Sequence, residues 1–428
     1  MNPGQKLIAV IFVIFLVFFA IAYHPSPTSA IEDLVFLVDS TEDLPDFAIN
    51  SVCSAGKISG GPCTLRAAIT EARGNAEFVP VTVRIPPGTY TLTIPPDPDI
   101  EEDYNHGDLD INPANSNHLI TIEPTVAGGE VIIQTAPNLN DRILEVGNAK
   151  VSISGIVFSG ANREINPYQI YGGGAILNMG NLELAGTKFV NNSVSCKPGE
   201  DCTSYVVGGA IMNSGSLSIV DSSFIQNSAE RGSAIFTNGP TVNISYSSFS
   251  QNSTDTINNW SSVSILNSTL SGGESGIINN GELFLQSCTM ANFTETIRNS
   301  SGNTVWARDN IFVTHSGKNF YEYGGTWTSG GYNIFSDDSW PGDLAAGDLE
   351  NTDPKLGSIG NYGGLTLTHS LREGSPAINH RPGICKTILL PFFEDQRHFP
   401  RNDGNCDTGA FEQSGSFFEP VYLPLINR

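Results

Sequence analysis

The most regular feature of the chain is an alternation of apolar and polar positions that restarts at a marker isoleucine. After the second marker, the units recur at roughly 20–24-residue intervals, a period typical of coiled repeat proteins. Each marker is followed by an asparagine, then by an alternating apolar pair, then by a third apolar site. The marker residues are Ile176, Ile211, Ile235, Ile257, Ile277 and Ile297.

Each unit therefore contains three short apolar segments separated by Gly and Asn, which predicts three β-strands per coil. Alternation places one face of each strand inside, and Gly and Asn tolerate the left-handed backbone of a sharp corner. Because one coil cannot bury its own face, coils must stack, and parallel crossings are right-handed. We predict an all-β protein, a right-handed single-stranded parallel β-helix. Its corner ladder is expected to contain Asn178, Asn213, Asn238, Asn259, Asn279 and Asn299.

Upstream of the repeats, the apolar spacing changes from that of strands to that of a helix. Leu65, Ala68, Ile69 and Ala72 fall at helical intervals, with Thr64 as a candidate N-cap. An open coil end is prone to aggregation, so we expect this short helix to cap the N-terminal end of the solenoid.

The pattern divides the chain into five parts. Residues 1–30 have the charged start, apolar run and small-residue end of a secretory signal peptide, with an uncleaved anchor as the alternative. Residues 31–80 form the N-terminal cap, 81–309 the β-helix, 310–413 terminal rungs and loops, and 414–428 a tail. After signal removal we expect no membrane span, and the protein is expected to be extracellular or on a bacterial cell surface.

The net charge limits the classes of binding partner, and the cysteine content predicts disulfides. A net charge of −23 disfavours nucleic acid and anionic lipid, whereas cations could be attracted. Seven cysteines in an exported chain predict disulfides, and closeness in sequence suggests three pairs. Cys288 remains as a free, partly buried thiol, at a position where other repeats have Ser or Thr. The disulfide candidates are Cys53 with Cys63, Cys196 with Cys202, and Cys385 with Cys406.

Three segments resemble known families of exported bacterial proteins. Gly208-Gly-Ala-Ile211 with Phe224-Ile-Gln-Asn227 is similar to the GGAI/FxxN repeat of polymorphic outer-membrane proteins. Cys63-Thr-Leu-Arg-Ala-Ala-Ile69 with Gly107-Asp-Leu-Asp-Ile111 resembles the CSLREA-type N-terminal region, although Thr64 replaces Ser and Ala67 replaces Glu. Several motifs over residues 310–413, including Asp395-Gln-Arg397 and Cys406-Asp-Thr-Gly-Ala-Phe-Glu412, resemble the choice-of-anchor Q domain. The resemblances imply a pectin-lyase-like solenoid displayed at a surface. The final tail is either an ending of the surface-sorting kind or a last strand.

The sequence contains few residues in the arrangements typical of a catalytic site. A lyase needs calcium-binding carboxylates and a cationic base on adjacent rungs, and a hydrolase needs facing carboxylates. The regular rungs are poor in both, and Arg298 has no His or Lys at a matching site. We predict no catalytic residues and no cofactor. The acidic stretch from Asp97 to Asp110 is either a solvated loop or a Ca²⁺ site, and Asp108 and Asp110 are the preferred ligands. Asp395, Arg397 and Asp407 are expected to form an internal salt bridge in the terminal loop.

The sequence favours a secreted or cell-surface β-helix scaffold with an adhesive, carbohydrate-binding or structural role and no evident active site. Its partner would be a polysaccharide or a cell-surface ligand, and a monomer is expected. The alternative is a polysaccharide lyase or glycoside hydrolase acting on an acidic polysaccharide. Convergence of carboxylates, or of carboxylates with Arg or Lys, in a groove within about 5–10 Å would favour that enzyme.

Overall fold

Three long parallel sheets wind around one core, which confirms the predicted parallel β-helix. The computed structural model describes residues 33–76, 78–96, 105–113, 117–167, 172–202, 205–383, 394–401 and 404–413. The predicted signal, most of the acidic stretch and the tail lie outside these ranges. Successive strands pair in register with the equivalent strand of the next coil, so side chains at matching positions stack along the axis.

The strands, numbered in chain order, fall into sheets that we call A, B and C. Sheet A contains β1 (Leu34–Leu37), β2 (Val81–Ile85), β5 (Leu119–Pro124), β8 (Lys150–Ser154), β12 (Asn181–Ala185), β16 (Ser216–Val220), β19 (Thr241–Ser245), β22 (Ser262–Leu266), β25 (Glu282–Gln286), β27 (Thr304–Arg308) and β29 (Thr326–Gly331). Sheet B contains β4 (Leu109–Ile111), β7 (Leu144–Val146), β11 (Ile176–Asn178), β15 (Ile211–Asn213), β18 (Ile235–Thr237), β21 (Asp255–Asn259) and β24 (Ser275–Asn279). Sheet C contains β3 (Gly88–Leu92), β6 (Val131–Thr135), β9 (Ile156–Ser159), β13 (Lys188–Val190), β17 (Ser223–Ile225), β20 (Ser248–Ser250), β23 (Thr269–Ser271) and β30 (Ile334–Phe335).

The remaining strands join or flank these sheets. Two long strands bend from sheet C into sheet B, and their pairing shifts register at the bend. They are β26 (Thr289–Ser300) and β28 (Ile311–Tyr323). Outside the coils, β10 (Asn162–Ile165) pairs in parallel with β14 (Ser193–Cys196). Antiparallel pairs form between β31 (Leu356–Gly360) and β32 (Thr368–Leu371), and between β33 (Arg381–Pro382) and β34 (Asn405–Cys406).

Apolar side chains from the three sheets fill the core in columns. The marker isoleucines are fully buried. The third apolar site forms an aromatic stack in the coils where it is Phe, with the rings of Phe189 and Phe224 4.7 Å apart and those of Phe224 and Phe249 4.6 Å apart. Stacking follows from the register, because equivalent residues of neighbouring coils are separated by the strand spacing of about 4.8 Å.

The corner between sheets B and A contains the amide ladder, with one residue different from the prediction. The Asn178 side chain donates to Asn213 Oδ1 at 2.6 Å, and Asn279 donates to Asn299 Oδ1 at 2.8 Å. In the coil of the third marker residue, Ile235, the ladder position is instead Thr237, whose Oγ1 accepts from Asn213 at 3.0 Å. The prediction of Asn238 at this position was wrong, since that residue is exposed one position beyond the strand and accepts a bond from Ser214.

The next corner, between sheets A and C, has a column of side chains whose oxygens accept backbone N–H groups from the preceding coil. Ser222 Oγ accepts from the Thr187 N–H at 3.2 Å, and Asn310 Oδ1 accepts from the Cys288 N–H at 2.9 Å. Cys288 therefore occupies a Ser position, as the sequence predicted. Its thiol is buried and free, and burial raises its pKa to about 12, so it is an unreactive structural thiol.

A helix closes the N-terminal end of the core. It is α1 (Leu65–Asn75), and the Thr64 hydroxyl accepts the Ala67 N–H as its N-cap, as predicted. Leu65, Ile69 and Ala72 join the main core cluster. At 11 residues α1 is too short to span a bilayer, and no apolar helix of spanning length occurs in the part of the chain that the structure describes.

The terminal segment folds back over sheet C. Gln396 accepts from Thr269 Oγ1 at 2.6 Å, and His369 Nε2 lies 2.9 Å from Ser271 Oγ. The predicted ion pair between Arg397 and Asp395 is present and buried, at 2.6 Å. Asp407 differs from the prediction, because it accepts the backbone N–H of Asn379 instead of joining that pair.

Two of the three suggested disulfides are present. Cys53 is bonded to Cys63, and Cys196 is bonded to Cys202. Cys406 is also disulfide-bonded, while Cys385, its expected partner, lies outside the described residues. Disulfides fit an extracellular protein.

Candidate functional site

Carboxylates from two neighbouring coils meet on the outer face of sheet B. Asp110 lies directly opposite Glu145 in the pairing of β4 with β7, and Asp108 lies two residues before Asp110. One carboxylate oxygen from each of the three residues lies within 4.8 Å of the others. The sequence predicted Asp108 and Asp110 but missed Glu145. Glu145 could have been found from the apolar pattern. Leu109 and Ile111 align with Leu144 and Val146, and this alignment places Asp110 beside Glu145.

Several contacts fix the backbone at Asp108. Gly107 has a φ of +67°, and an added Cβ there would lie 2.5 Å from Asp141 Oδ2, so this position requires glycine. The same Asp141 oxygen accepts the Asp108 N–H at 3.1 Å. From the other side, Arg66 of α1 donates to the carbonyl oxygens of Gly107 and Asp108, at 2.7 and 2.9 Å.

A buried arginine partly neutralises the cluster. Arg142 forms a close ion pair with Glu145, and its Nε lies 3.6 Å from Asp108 Oδ2. Asp108 Oδ2 is buried and has no hydrogen-bond partner among the described residues. Burial is the main cause that raises the pKa of Asp108 well above its usual value and that of Asp110 to about 7, with repulsion by Asp141 and Glu145 adding to it. These three carboxylates could share protons or act as oxygen ligands of a hard cation.

A second arginine is influenced by the same charges. Arg163, in β10, donates to the Gly172 carbonyl at 2.9 Å. Burial, followed by repulsion from Arg142, lowers the pKa of Arg163 to about 10, and Asp108, Asp141 and Glu145 oppose this shift. Carboxylates and guanidinium groups therefore converge near β4 and β7, which the sequence did not predict.

Arg298 is not isolated in the fold. It forms a bidentate ion pair with Glu295, at 2.9 and 2.5 Å. Glu295 aligns with Ser275 and Asp255 on successive rungs of sheet B. Asp255 and Glu295 are only 8% and 6% exposed, so a bulky substrate cannot reach them, and we assign this set a structural role.

A groove runs along the outside of the corner between sheets B and A, and we call it the corner groove. Its volume is about 480 Å³, and stacked glycines form its floor. A Cβ on Gly180 would lie 2.3 Å from the Gly147 carbonyl oxygen, and one on Gly215 would lie 2.0 Å from that of Gly180. Glycine at these positions therefore lets the backbones of successive coils stack closely beneath the groove. The lining residues are Asn117, Asn148, Ala149, Lys150, Met179, Gly180, Asn181, Ser214, Gly215, Ser216 and Pro240.

The amide ladder holds the groove floor in place from beneath. Asn178 Oδ1 accepts the Gly180 N–H at 3.1 Å, and Asn213 Nδ2 donates to the Gly215 carbonyl at 2.9 Å. Apart from Asn238, the predicted ladder residues are buried and structural, while the residues after Asn178 and Asn213 face the groove. Amides and hydroxyls dominate the described lining, which includes Lys150 and no carboxylate.

Comparison with known proteins gives fold similarity alone. No family model and no curated protein sequence matches the chain. One solved structure that is similar is the crystal structure of pectate lyase Pel9A, with 15% identity and a TM-score of 0.43 over 90% of this chain and 98% of that chain. At this identity and TM-score, the similarity carries no argument about activity, and the parallel β-helix follows from the strand pairing of the chain itself.

Proposed function

We propose that the protein is an exported β-helix scaffold that binds an extended polysaccharide in the corner groove. The observation that carries the proposal is the groove itself, which follows the helix axis and crosses several coils. The signal-like start, the two disulfides and the resemblance of residues 63–69 and 310–413 to exported bacterial families support export and surface display.

The composition of the groove suits a sugar polymer. Amide and hydroxyl groups donate and accept hydrogen bonds as sugar hydroxyls do, and Met179 and Pro240 add apolar contact. The chain has 44 acidic and 21 basic residues, yet the described groove lining has only Lys150 as a charged residue. Asn181 and Lys150 are neighbours in register, so one side chain can be enlarged to fill the groove at its centre.

A blocking substitution tests the proposal. Asn181→Trp fills the groove, whereas Asn243→Trp places the same side chain at an exposed position of sheet A outside the groove lining. The mature protein and both variants are run in affinity electrophoresis through gels containing xylan, mixed-linkage β-glucan or polygalacturonate. We expect at least one polymer to retard the mature protein and Asn243→Trp but not Asn181→Trp. Equal retardation of both variants, or no retardation by any polymer, would contradict the proposal.

The carboxylate cluster supports a second candidate function, a lyase that acts on an acidic polysaccharide. Convergence of carboxylates, or of carboxylates with Arg or Lys, in a groove would favour the enzyme alternative. Asp108, Asp110 and Glu145 converge near Arg142, outside the corner groove. In such a site the carboxylates would hold Ca²⁺, and Arg163 of β10, which is influenced by the same carboxylates, would be the candidate base.

Product formation separates the two functions. The mature protein is incubated with polygalacturonate in the presence of Ca²⁺ or chelator, and unsaturated products are followed by ultraviolet absorbance. A lyase produces them with Ca²⁺ and loses this activity in Asp110→Asn, whereas Glu183→Gln, an exposed carboxylate on sheet A, leaves it unchanged. Absence of product with Ca²⁺ rejects this second candidate.

A further inference from the structure

One exposed aromatic residue stands on the path of the corner groove. The pairing of β11, β15, β18 and β21 aligns Asn178, Asn213, Thr237 and Asn259. The residues that follow them therefore form a second column at the corner, and its members are Met179, Ser214, Asn238 and Trp260. Met179 and Ser214 line the groove, so Trp260 lies further along the same wall.

The floor of the groove also continues to this coil. Pro240, the last lining residue, follows Gly239, and a Cβ on Gly239 would lie 2.1 Å from the Gly215 carbonyl oxygen. At the next coil Ser261 takes the glycine position, and its hydroxyl donates to the Gly239 carbonyl. The backbone column is thus unbroken up to Trp260, whose own N–H donates to the Thr237 carbonyl at 2.8 Å.

Trp260 is exposed yet held in place. Its side chain is 53% exposed, while its indole N–H donates to Asn258 Oδ1 at 2.7 Å. Asn258 is itself fixed, because its Nδ2 donates to the buried Asp255 at 2.9 Å. A large apolar ring that is oriented by a hydrogen bond loses little conformational entropy when a ligand binds to it.

The other tryptophans have packing roles. All four tryptophans of the chain lie within the described ranges. Trp327 and Trp340 are buried in an aromatic cluster at the C-terminal end of the core, and Trp306 stacks on Phe284 with ring centroids 4.2 Å apart. Trp260 differs because no aromatic ring among the described residues packs against it. Packing therefore does not account for a tryptophan at this exposed position.

We propose that Trp260 is the sugar-stacking wall at one end of the corner groove, and that the ligand is a chain of pyranose rings. This inference rests on the proposed function. Pyranose rings have a face of C–H groups that packs on an indole, while their hydroxyls bond to amides and hydroxyls such as those of Asn148 and Asn181. From the coil of Asn148 to that of Trp260 there are four coil spacings of about 4.8 Å, or about 19 Å. Only oligosaccharides long enough to cover that distance gain the indole contact.

The experiment combines a length series with matched variants. Xylo-, cello- and galacturono-oligosaccharides of increasing length are titrated against the mature protein, Trp260→Ala, Trp260→Phe and Trp306→Phe. Trp260→Ala is expected to weaken binding of the longer oligosaccharides about tenfold, which corresponds to 1.4 kcal/mol. Trp260→Phe and Trp306→Phe should stay within about threefold of the parent. Short oligosaccharides should bind the parent and Trp260→Ala equally.

A second readout needs no variant. Iodide quenches exposed indoles, so in the parent protein it reports mainly on Trp260, and a long oligosaccharide should reduce this quenching. If Trp260→Ala binds like the parent while Asn181→Trp does not, the role of Trp260 is wrong and the proposed function stands. If no oligosaccharide or polymer binds the parent, the proposed function fails and this inference fails with it. Unfolding curves of the variants confirm that each is folded.

Discussion

The Arg66 guanidinium, on the capping helix, donates to the Gly107 carbonyl oxygen at 2.7 Å. The same side chain forms an ion pair with Asp43 at 2.7 Å and is 1% exposed. Asp43 also accepts the backbone N–H of Thr93 at 2.6 Å. One buried arginine therefore ties the cap loop, the helix and the first coil together, beside the acidic cluster.

Replacing this arginine should destabilise the N-terminal end strongly. Arg66→Met removes the partner of a buried carboxylate and leaves two carbonyl groups without their donor, which costs about 3–5 kcal/mol. Urea unfolding followed by circular dichroism measures the change. Arg84→Met is the matched control, since its pair with Glu123 has side chains 52% and 33% exposed, and exposed pairs contribute about 0–1 kcal/mol. Equal losses in both variants would contradict the role given to Arg66.

The periodic parts of the fold could be predicted from the sequence because every coil has the same requirements for burial and hydrogen bonding. Marker residues such as Ile211 must be inside, and corner residues such as Asn213 must satisfy backbone groups, so both are visible as spacing. Thr237 escaped prediction because a hydroxyl can replace an amide in the ladder. The prediction instead placed Asn238 in the ladder, because it is the asparagine that follows the marker Ile235.

The contacts between distant segments could not be predicted in the same way. Asp110 and Glu145 are brought together by the register of two adjacent coils, and Arg142 enters the cluster from the loop before β7. The corner groove lies over Gly180 and Gly215, where the lack of a Cβ lets the backbones of successive coils stack closely. Sequence shows these glycines as turn residues but does not show that their backbones stack into a floor.

Asn227 belongs to a second column of buried amides, which lies at the corner after sheet C and includes Asn192 and Asn252. Its Oδ1 accepts the backbone N–H of Asn192 at 3.0 Å, and its Nδ2 donates to the Phe189 carbonyl at 3.0 Å and to Asn252 Oδ1 at 3.1 Å. Asn227→Ala leaves buried groups unsatisfied and should lower the free energy of unfolding by about 3 kcal/mol. Asn243→Ala, at an exposed position of sheet A, should change it by less than about 0.5 kcal/mol. The two variants are compared by urea unfolding.

The terminal segment should loosen at alkaline pH. His398 lies 2.7 Å from Asp221 of the β-helix and 3.1 Å from Glu394, and the hydrogen bond to Asp221 is the main cause that raises its pKa from 6.5 to about 9. Tyr246 packs against its ring. Because the folded pKa is the higher one, the stabilisation is complete below pH 6.5 and disappears as the pH rises through about 9.

Hydrogen exchange of residues 394–401 measures this effect. After correction for the intrinsic exchange rate, protection should be lower at pH 10 than at pH 6 in the parent protein. His398→Gln keeps a hydrogen-bonding side chain without the charge and should remove the difference. A pH dependence that persists unchanged in His398→Gln would assign it to another group.

Calcium should stabilise the first coils through the carboxylate cluster. The raised pKa values of Asp108 and Asp110 mean that, without a cation, the folded state holds protons that the unfolded state has released. Stability should therefore fall as the pH rises from about 4 through 7. A bound Ca²⁺ would replace those protons. At pH 8, Ca²⁺ at 100 times its Kd should therefore stabilise the folded state by about 2.7 kcal/mol, which is measured as a higher melting temperature. Asp110→Asn should lose most of this response, whereas Glu183→Gln on sheet A should retain it. An identical melting temperature with Ca²⁺ and with chelator would show that Arg142 and protons alone balance the cluster.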